Sequence, residues 1–196
     1  MTFDRLQRQL AFIVEIDKAK SILRNSLVIE EGRRENDAEH AWHLGVMAPL
    51  LAEYAREKID VDRVIEMLLV HDLVEIDAGD TFIYDTAARE QQAEKERAAA
   101  DRIFGLLPPD QAAALRAAWE EFEARQTPEA RFAFALDRLQ PLLLNFHTRG
   151  HAWRKHGVRR AQVMAVNASI AGSAPELWEF ARGLIDEAVR RGYLSE

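Results

Sequence analysis

The chain has no cysteine in its 196 residues. That excludes disulfides and thiolate-held metals, so any bound metal must be carried by His, Asp and Glu. No run approaches the roughly 18 apolar residues of a membrane span. The first residues, Met1-Thr2-Phe3-Asp4-Arg5, turn charged at once and hold no apolar core of signal-peptide type. A cytoplasmic protein with no membrane partner is therefore expected. There is no basic excess either. The net charge of -7 argues against nucleic-acid binding through a basic face, but a few local arginines would suffice for a small phosphorylated molecule. Strand-like alternation, internal repeats and low-complexity tails are also missing.

What is present reads as an ordinary globular chain, 48% hydrophobic and 30% charged. Its length suits one core and its linkers are short, so a single all-α domain over 1–196 is expected. Apolar residues at helical spacing predict a first helix from Phe3 to Leu23. Residues 26–36 break the period as a loop or short extended piece. Asn36 and Glu39 have capping-box spacing and open a second helix, kinked or broken at Pro49. Asp60 or Asp62 caps a third helix leading through His71-Asp72 to a turn at Asp77-Ala78-Gly79-Asp80. Further helices are expected from Thr86 to Leu107, Asp110 to Arg125, Thr127-Pro128 to Gly150, Val158 to Ala171 and Pro175 to Arg191. The C-terminal one, with Leu177, Trp178, Phe180, Leu184 and Ile185, would seal the core or form a homodimer interface. Trp42, Trp119, Trp153 and Trp178 read as packing residues.

Chemistry concentrates in Met67 to Asp80, where an apolar run meets His71-Asp72 and then Glu75 and Asp80. Burying a carboxylate beside an imidazole is expensive unless the charge is neutralised, and a divalent ion does this well. His71 and Asp72 are read as neighbouring ligands. His40, inward-facing in the first turn of another helix, is the natural third. Asp137, in the middle of the most apolar helix, is the natural fourth. Singly, each has a plainer reading: His40 as a hydrogen-bonded core histidine, Asp137 as an ion pair with Arg138 or Arg131. His43 reads as a core histidine. His147, His151 and His156 read as cations near a helix C-terminus.

Three segments, Arg34-Glu35-Asn36-Asp37-Ala38-Glu39-His40, His71-Asp72-Leu73-Val74-Glu75 with Gly79-Asp80, and Ala135-Leu136-Asp137-Arg138-Leu139, give the chain its resemblance. It resembles the HD-domain superfamily of metal-dependent phosphohydrolases, and most closely the 5'-deoxynucleotidase-like branch. The motifs lie within about residues 20 to 150, with C-terminal helices over 158–192 outside them. The resemblance implies a helical bundle with His40, His71, Asp72 and Asp137 on one divalent ion (Mn, Co, Fe, Mg or Zn). It implies Glu75 as general acid/base, Asp80 as a second active-site acid, and Arg24 on the substrate phosphate, with Arg33 and Arg34 as alternatives. The expected reaction is hydrolysis of a phosphate monoester, a (deoxy)nucleoside 5'-monophosphate first, by attack of a metal-bound water. The alternatives are another phosphorylated metabolite, a phosphodiester, or a non-catalytic partner-binding protein. Where the nucleotidases of that branch follow the arginine with a tryptophan that shapes the sugar pocket, this chain has Asn25.

Overall fold

A computed structural model describes the backbone of residues 3–84 and 86–196, and their side chains except at residue 3 and residues 86–91. Eleven α-helices are present among these: α1 Phe3–Ile16, α2 Asp37–Leu51, α3 Val61–Val70, α4 Glu75–Ala78, α5 Thr86–Phe104, α6 Pro109–Ala124, α7 Pro128–His147, α8 His151–Lys155, α9 Arg160–Asn167, α10 Ile170–Ser173 and α11 Pro175–Arg190. The helical class expected from the sequence is what the chain adopts. It adds one small antiparallel sheet, β1 Leu23–Leu27 against β2 Arg34–Asn36.

That sheet corrects the first expected helix, which ends at Ile16 and gives way to a 3-10 turn over Asp17–Ser21. Arg24 accordingly lies on β1 and not at a helix end. The second correction is at the motif. The helix expected to carry His71-Asp72 stops at Val70; a 3-10 turn, His71–Val74, follows before α4. The tighter turn changes the spacing of side chains around the axis of this segment. The C-terminal boundary differs too, with α9 and the one-turn α10 replacing a single helix over 158–171.

Local signals decide the other starts. Asn36 accepts from the Glu39 amide while Glu39 accepts from the Asn36 amide, closing the capping box that launches α2. Asp60 caps α3, and Thr127 with Pro128 behind it caps α7. Both α2 and α7 run continuously through Pro49 and Pro141.

The buried core runs from Phe12 to Leu194, with α7 at its centre against α2, α3, α6 and α10. Leu44, Met67, Leu68, Phe132 and Leu136 are almost wholly enclosed. The C-terminal helix α11 closes this core through Leu177, Ala181, Ile185 and Ala188. Gly150 fits where nothing larger can, since its φ is +69° and a Cβ there would lie 1.9 Å from the Tyr193 carbonyl oxygen. The packing role expected of the tryptophans holds for Trp119 and Trp153 but fails for Trp42, which is 67% exposed. No helix among the described residues is long and apolar enough to cross a membrane.

Candidate metal centre

Three elements carry the inner residues. His40 sits one turn into α2, His71 and Asp72 open the 3-10 turn after α3, and Asp137 lies mid-α7; His40, His71 and Asp137 are buried. Because α2, α3 and α7 pack on one another, residues far apart in the chain converge. His40 Nε2 is 3.0 Å from Asp137 Oδ1 and 3.8 Å from Asp72 Oδ2. His71 Nε2 is 3.1 Å from Asp72 Oδ2 and 3.6 Å from Asp137 Oδ1. One ligand atom from each of His40, His71 and Asp72 falls within 4.8 Å of the others.

Both imidazoles are held from behind. The Nδ1 of His71 is 2.9 Å from the Leu68 carbonyl oxygen, which can only accept, so Nδ1 carries the hydrogen. The Nδ1 of His40 is 3.1 Å from Gln140 Oε1. Each ring thus turns Nε2 into the carboxylate nest, and His71 Nε2 is buried with no hydrogen-bond partner. Two imidazole Nε2 atoms facing two carboxylates make a donor set suited to a borderline divalent cation, which would displace any Nε2 proton. The two rings are shifted in opposite directions. Burial, with Arg24 nearby, lowers His40 to about 4. His71 rises to about 10, because Asp72 and Asp137 outweigh the burial that disfavours its charge. Burial would raise Asp72, but His71 and Arg24 hold it well below the usual carboxylate range. Asp137 is likewise lowered against burial, by Arg138 and His40. The expected Asp137–Arg138 ion pair does form, on Oδ2, and leaves Oδ1 turned to the histidines.

A second tier surrounds Arg24. Arg24 Nη1 donates to Asp72 Oδ2 at 2.6 Å and approaches Asp37 Oδ1 at 3.3 Å. Asp37, Asp72 and Glu75 present oxygens within 4.8 Å of one another. Burial pushes Glu75 well above the ordinary range, Asp37 to about 7 and Asp80 upward. Arg24, Asp72, Glu75, Asp80 and Asp137 line one cavity of about 280 Å³, whose far wall includes Tyr84 and Trp153. Of the alternatives to Arg24, Arg33 pairs with Glu31 and Glu39 at the surface. Arg34 donates to the Leu23 and Arg24 carbonyls. His43 reaches Gln140 rather than only apolar neighbours, and His156 stacks on Phe82 at 4.4 Å.

Three further residues of the site are given no role by the sequence. Glu35 and Asp37 lie within the first motif segment without one, and Gln140 lies outside all three segments. The signal for Gln140 was present: it lies three residues after Asp137 on the most apolar helix, where an amide must find partners.

The chain matches the HD domain family over residues 16–178. A 5'-deoxynucleotidase HDDC2 from Xenopus laevis is 31% identical over 135 residues, 68% of this chain and 66% of that relative. The Homo sapiens 5'-deoxynucleotidase HDDC2 is 30% identical over 68% of this chain and 65% of its own length. The chain thus matches slightly less than two thirds of these relatives' length. The Danio rerio protein of the same name is 25% identical over 94% of this chain and 90% of its own. A crystal structure described as a predicted metal-dependent phosphohydrolase, from Magnetospirillum magnetotacticum MS-1, is 58% identical, with a TM-score of 0.94 over 98% of this chain and 97% of that one. With the matched family spanning most of the chain and a donor set of His and Asp that suits a divalent ion, this protein belongs to the HD domain family.

Proposed function

We propose that the protein is a metal-dependent phosphohydrolase that cleaves a phosphate monoester, with a (deoxy)nucleoside 5'-monophosphate as the first candidate. The observation that carries this reading is the pair of histidines locked at Nδ1, with Nε2 facing Asp72 and Asp137. The names of the relatives, 5'-deoxynucleotidases and a predicted metal-dependent phosphohydrolase, support the same reaction class.

In this reading His40, His71, Asp72 and Asp137 hold one divalent ion. When bound, such an ion supplies Lewis acidity toward a phosphoryl oxygen and lowers the pKa of coordinated water. The chain's own groups do the rest. Glu75, buried and protonated more readily than a free carboxylate, exchanges a proton with the attacking water or the leaving oxygen. Asp80 lines the same cavity and orients Glu75 or accepts from a substrate hydroxyl. Arg24 presents a planar guanidinium to the phosphate, and its present contact with Asp72 puts it beside the reacting group. Asn25 lines the cavity next to it, a small polar side chain that leaves room for more than one sugar.

Three further readings belong to this proposal. The chain 1–196 acts as one domain, supported by the continuous core from Phe12 to Leu194. It works in the cytoplasm, where charged free nucleotides are retained. It forms a homodimer, supported not by α11, whose apolar face is mostly spent on the core, but by exposed stripes elsewhere. Leu6, Leu10, Ile13 and Val14 lie exposed on α1, and Trp42, Val46 and Leu50 on α2, with Leu69 close to Gly45 of that face. Apolar stripes of this kind mark association surfaces.

The test is a screen of phosphorylated metabolites against metal-stripped protein reloaded with Mn, Co, Fe, Mg or Zn in turn. Release of inorganic phosphate from nucleoside 5'-monophosphates, restored by at least one ion, is the expected result. Failure with every compound and every ion would revive the partner-binding reading.

A further inference from the structure

Behind His40, on the side away from the cavity, lies a closed polar group made of Glu35 from β2, Gln140 from α7 and His43 from α2. Gln140 is completely buried and Glu35 is 4% exposed. The Gln140 amide is engaged at both ends. Its Nε2 donates to Glu35 Oε1 at 2.6 Å and lies 3.2 Å from His43 Nδ1, while its Oε1 faces His40 Nδ1 at 3.1 Å. When ionised, Glu35 can only accept, so the NH2 end then points to Glu35; the reversed amide would set two oxygens against each other. The carbonyl end therefore faces His40, and Nδ1 there must donate. Nδ1 of His40 is thereby fixed as a donor. Nε2, which faces Asp137 Oδ1 at 3.0 Å and Asp72 Oδ2 at 3.8 Å, is left as the ring nitrogen a metal would take once any proton shared with Asp137 is displaced.

We propose that Gln140, oriented by Glu35, is a positioning residue that sets the tautomer and ring plane of His40 for metal binding. The contrast with His71 sharpens this. A backbone carbonyl, Leu68, does the same work there and no side-chain substitution can remove it. His40 depends on a side chain, and that side chain depends on a carboxylate. Outer partners of this kind typically tune metal affinity by about 10- to 100-fold.

The inference rests on the metal-site reading, and its test separates the two. In metal-stripped, 15N-labelled protein at about pH 8, the ring nitrogens of His40, assigned by comparison with His40→Asn, should report a protonated Nδ1. An unprotonated Nδ1 overturns the proposal whether or not metal binds. Manganese titration of the wild type then tests the metal reading by itself. Gln140→Leu removes both hydrogen-bonding ends; it should weaken manganese binding by about 10- to 100-fold and abolish the Nδ1–H signature. Wild-type affinity in folded Gln140→Leu contradicts the proposal. The exchanged pair Glu35→Gln/Gln140→Glu covers the case in which Gln140→Leu does not fold. The amide at position 35 then donates to the carboxylate at position 140, whose other oxygen accepts from His40. Recovery of manganese affinity and of the Nδ1–H signature is expected from this pair; an affinity as weak as that of Glu35→Gln with an unexchanged Gln140, or weaker, contradicts it.

Discussion

The inner nest and the outer tier of this site share Asp72 but are built on opposite principles. In the nest, each donor is fixed from outside: His71 by Leu68, His40 by Gln140, Asp137 by Arg138. In the outer tier, Asp37, Glu75 and Asp80 crowd around Arg24, and two of their oxygens, Asp37 Oδ2 and Glu75 Oε2, are buried without a hydrogen-bond partner. The nest is therefore pre-organised to hold something of fixed geometry, as a metal ion requires. The outer tier is a balance of charge, which a phosphate and a moving proton can redistribute. On the proposed reading, positioning and chemistry are divided between the two layers.

The largest expected effect breaks the nest. Asp137→Ala removes a carboxylate that both histidines face. It should lower kcat/KM by at least about 1,000-fold, about 4 kcal/mol of transition-state stabilisation, with bound metal lost by elemental analysis. Next comes the outer tier alone. Glu75→Gln should keep its metal while kcat falls by roughly 100- to 10,000-fold, the usual range for a general acid/base. If metal is lost along with activity, the two layers are not separable. Arg24→Ala should cost roughly 10- to 100-fold in kcat/KM, carried mainly by KM, as expected for a phosphate contact.

A smaller effect concerns stability and pH. Burial raises Glu35 to about 7 in the folded chain, against about 4.3 in an unfolded one. Between these values the folded state holds a proton the unfolded state has lost, so this group's contribution to stability falls as pH rises from about 4 through 7. In metal-free protein, Glu35→Gln should therefore gain stability relative to wild type as pH climbs from 5 to 8, by on the order of 1–2 kcal/mol. A pH-independent difference in melting temperature would mean that Glu35 does not ionise there. The smallest catalytic effect is expected on the exposed faces of α1 and α2: Leu10→Glu with Val46→Glu should halve the mass in solution and leave the turnover per chain nearly unchanged.

Much of the nest was legible because its residues stand out against apolar neighbours. His71-Asp72 and Asp137 interrupt hydrophobic stretches, His40 stands in the first turn of a capped helix, and the structure brings all four together. Helix starts were legible for a related reason, since capping side chains such as Asn36, Asp60 and Thr127 act within three residues of their partners. The long-range terms were not. The β1–β2 pairing that lifts Arg24 into the site joins segments separated by a turn with no strong alternation. The 3-10 turn at His71 keeps the apolar spacing of a helix while changing its pitch. Gln140 meets His40 across 100 residues of chain and Glu35 across 105. Nor does helical spacing say what covers the apolar face of α1, since spacing reports amphipathicity alone.

The measurement that bears most directly on the central claim is phosphate release by the wild-type protein before chelation, after chelation and after reloading with manganese. The site described here predicts activity on a nucleoside 5'-monophosphate that disappears on stripping and returns with the bound ion, and that never returns in Asp137→Ala. Undiminished hydrolysis by the stripped protein, or full recovery in the Asp137→Ala variant, would contradict it.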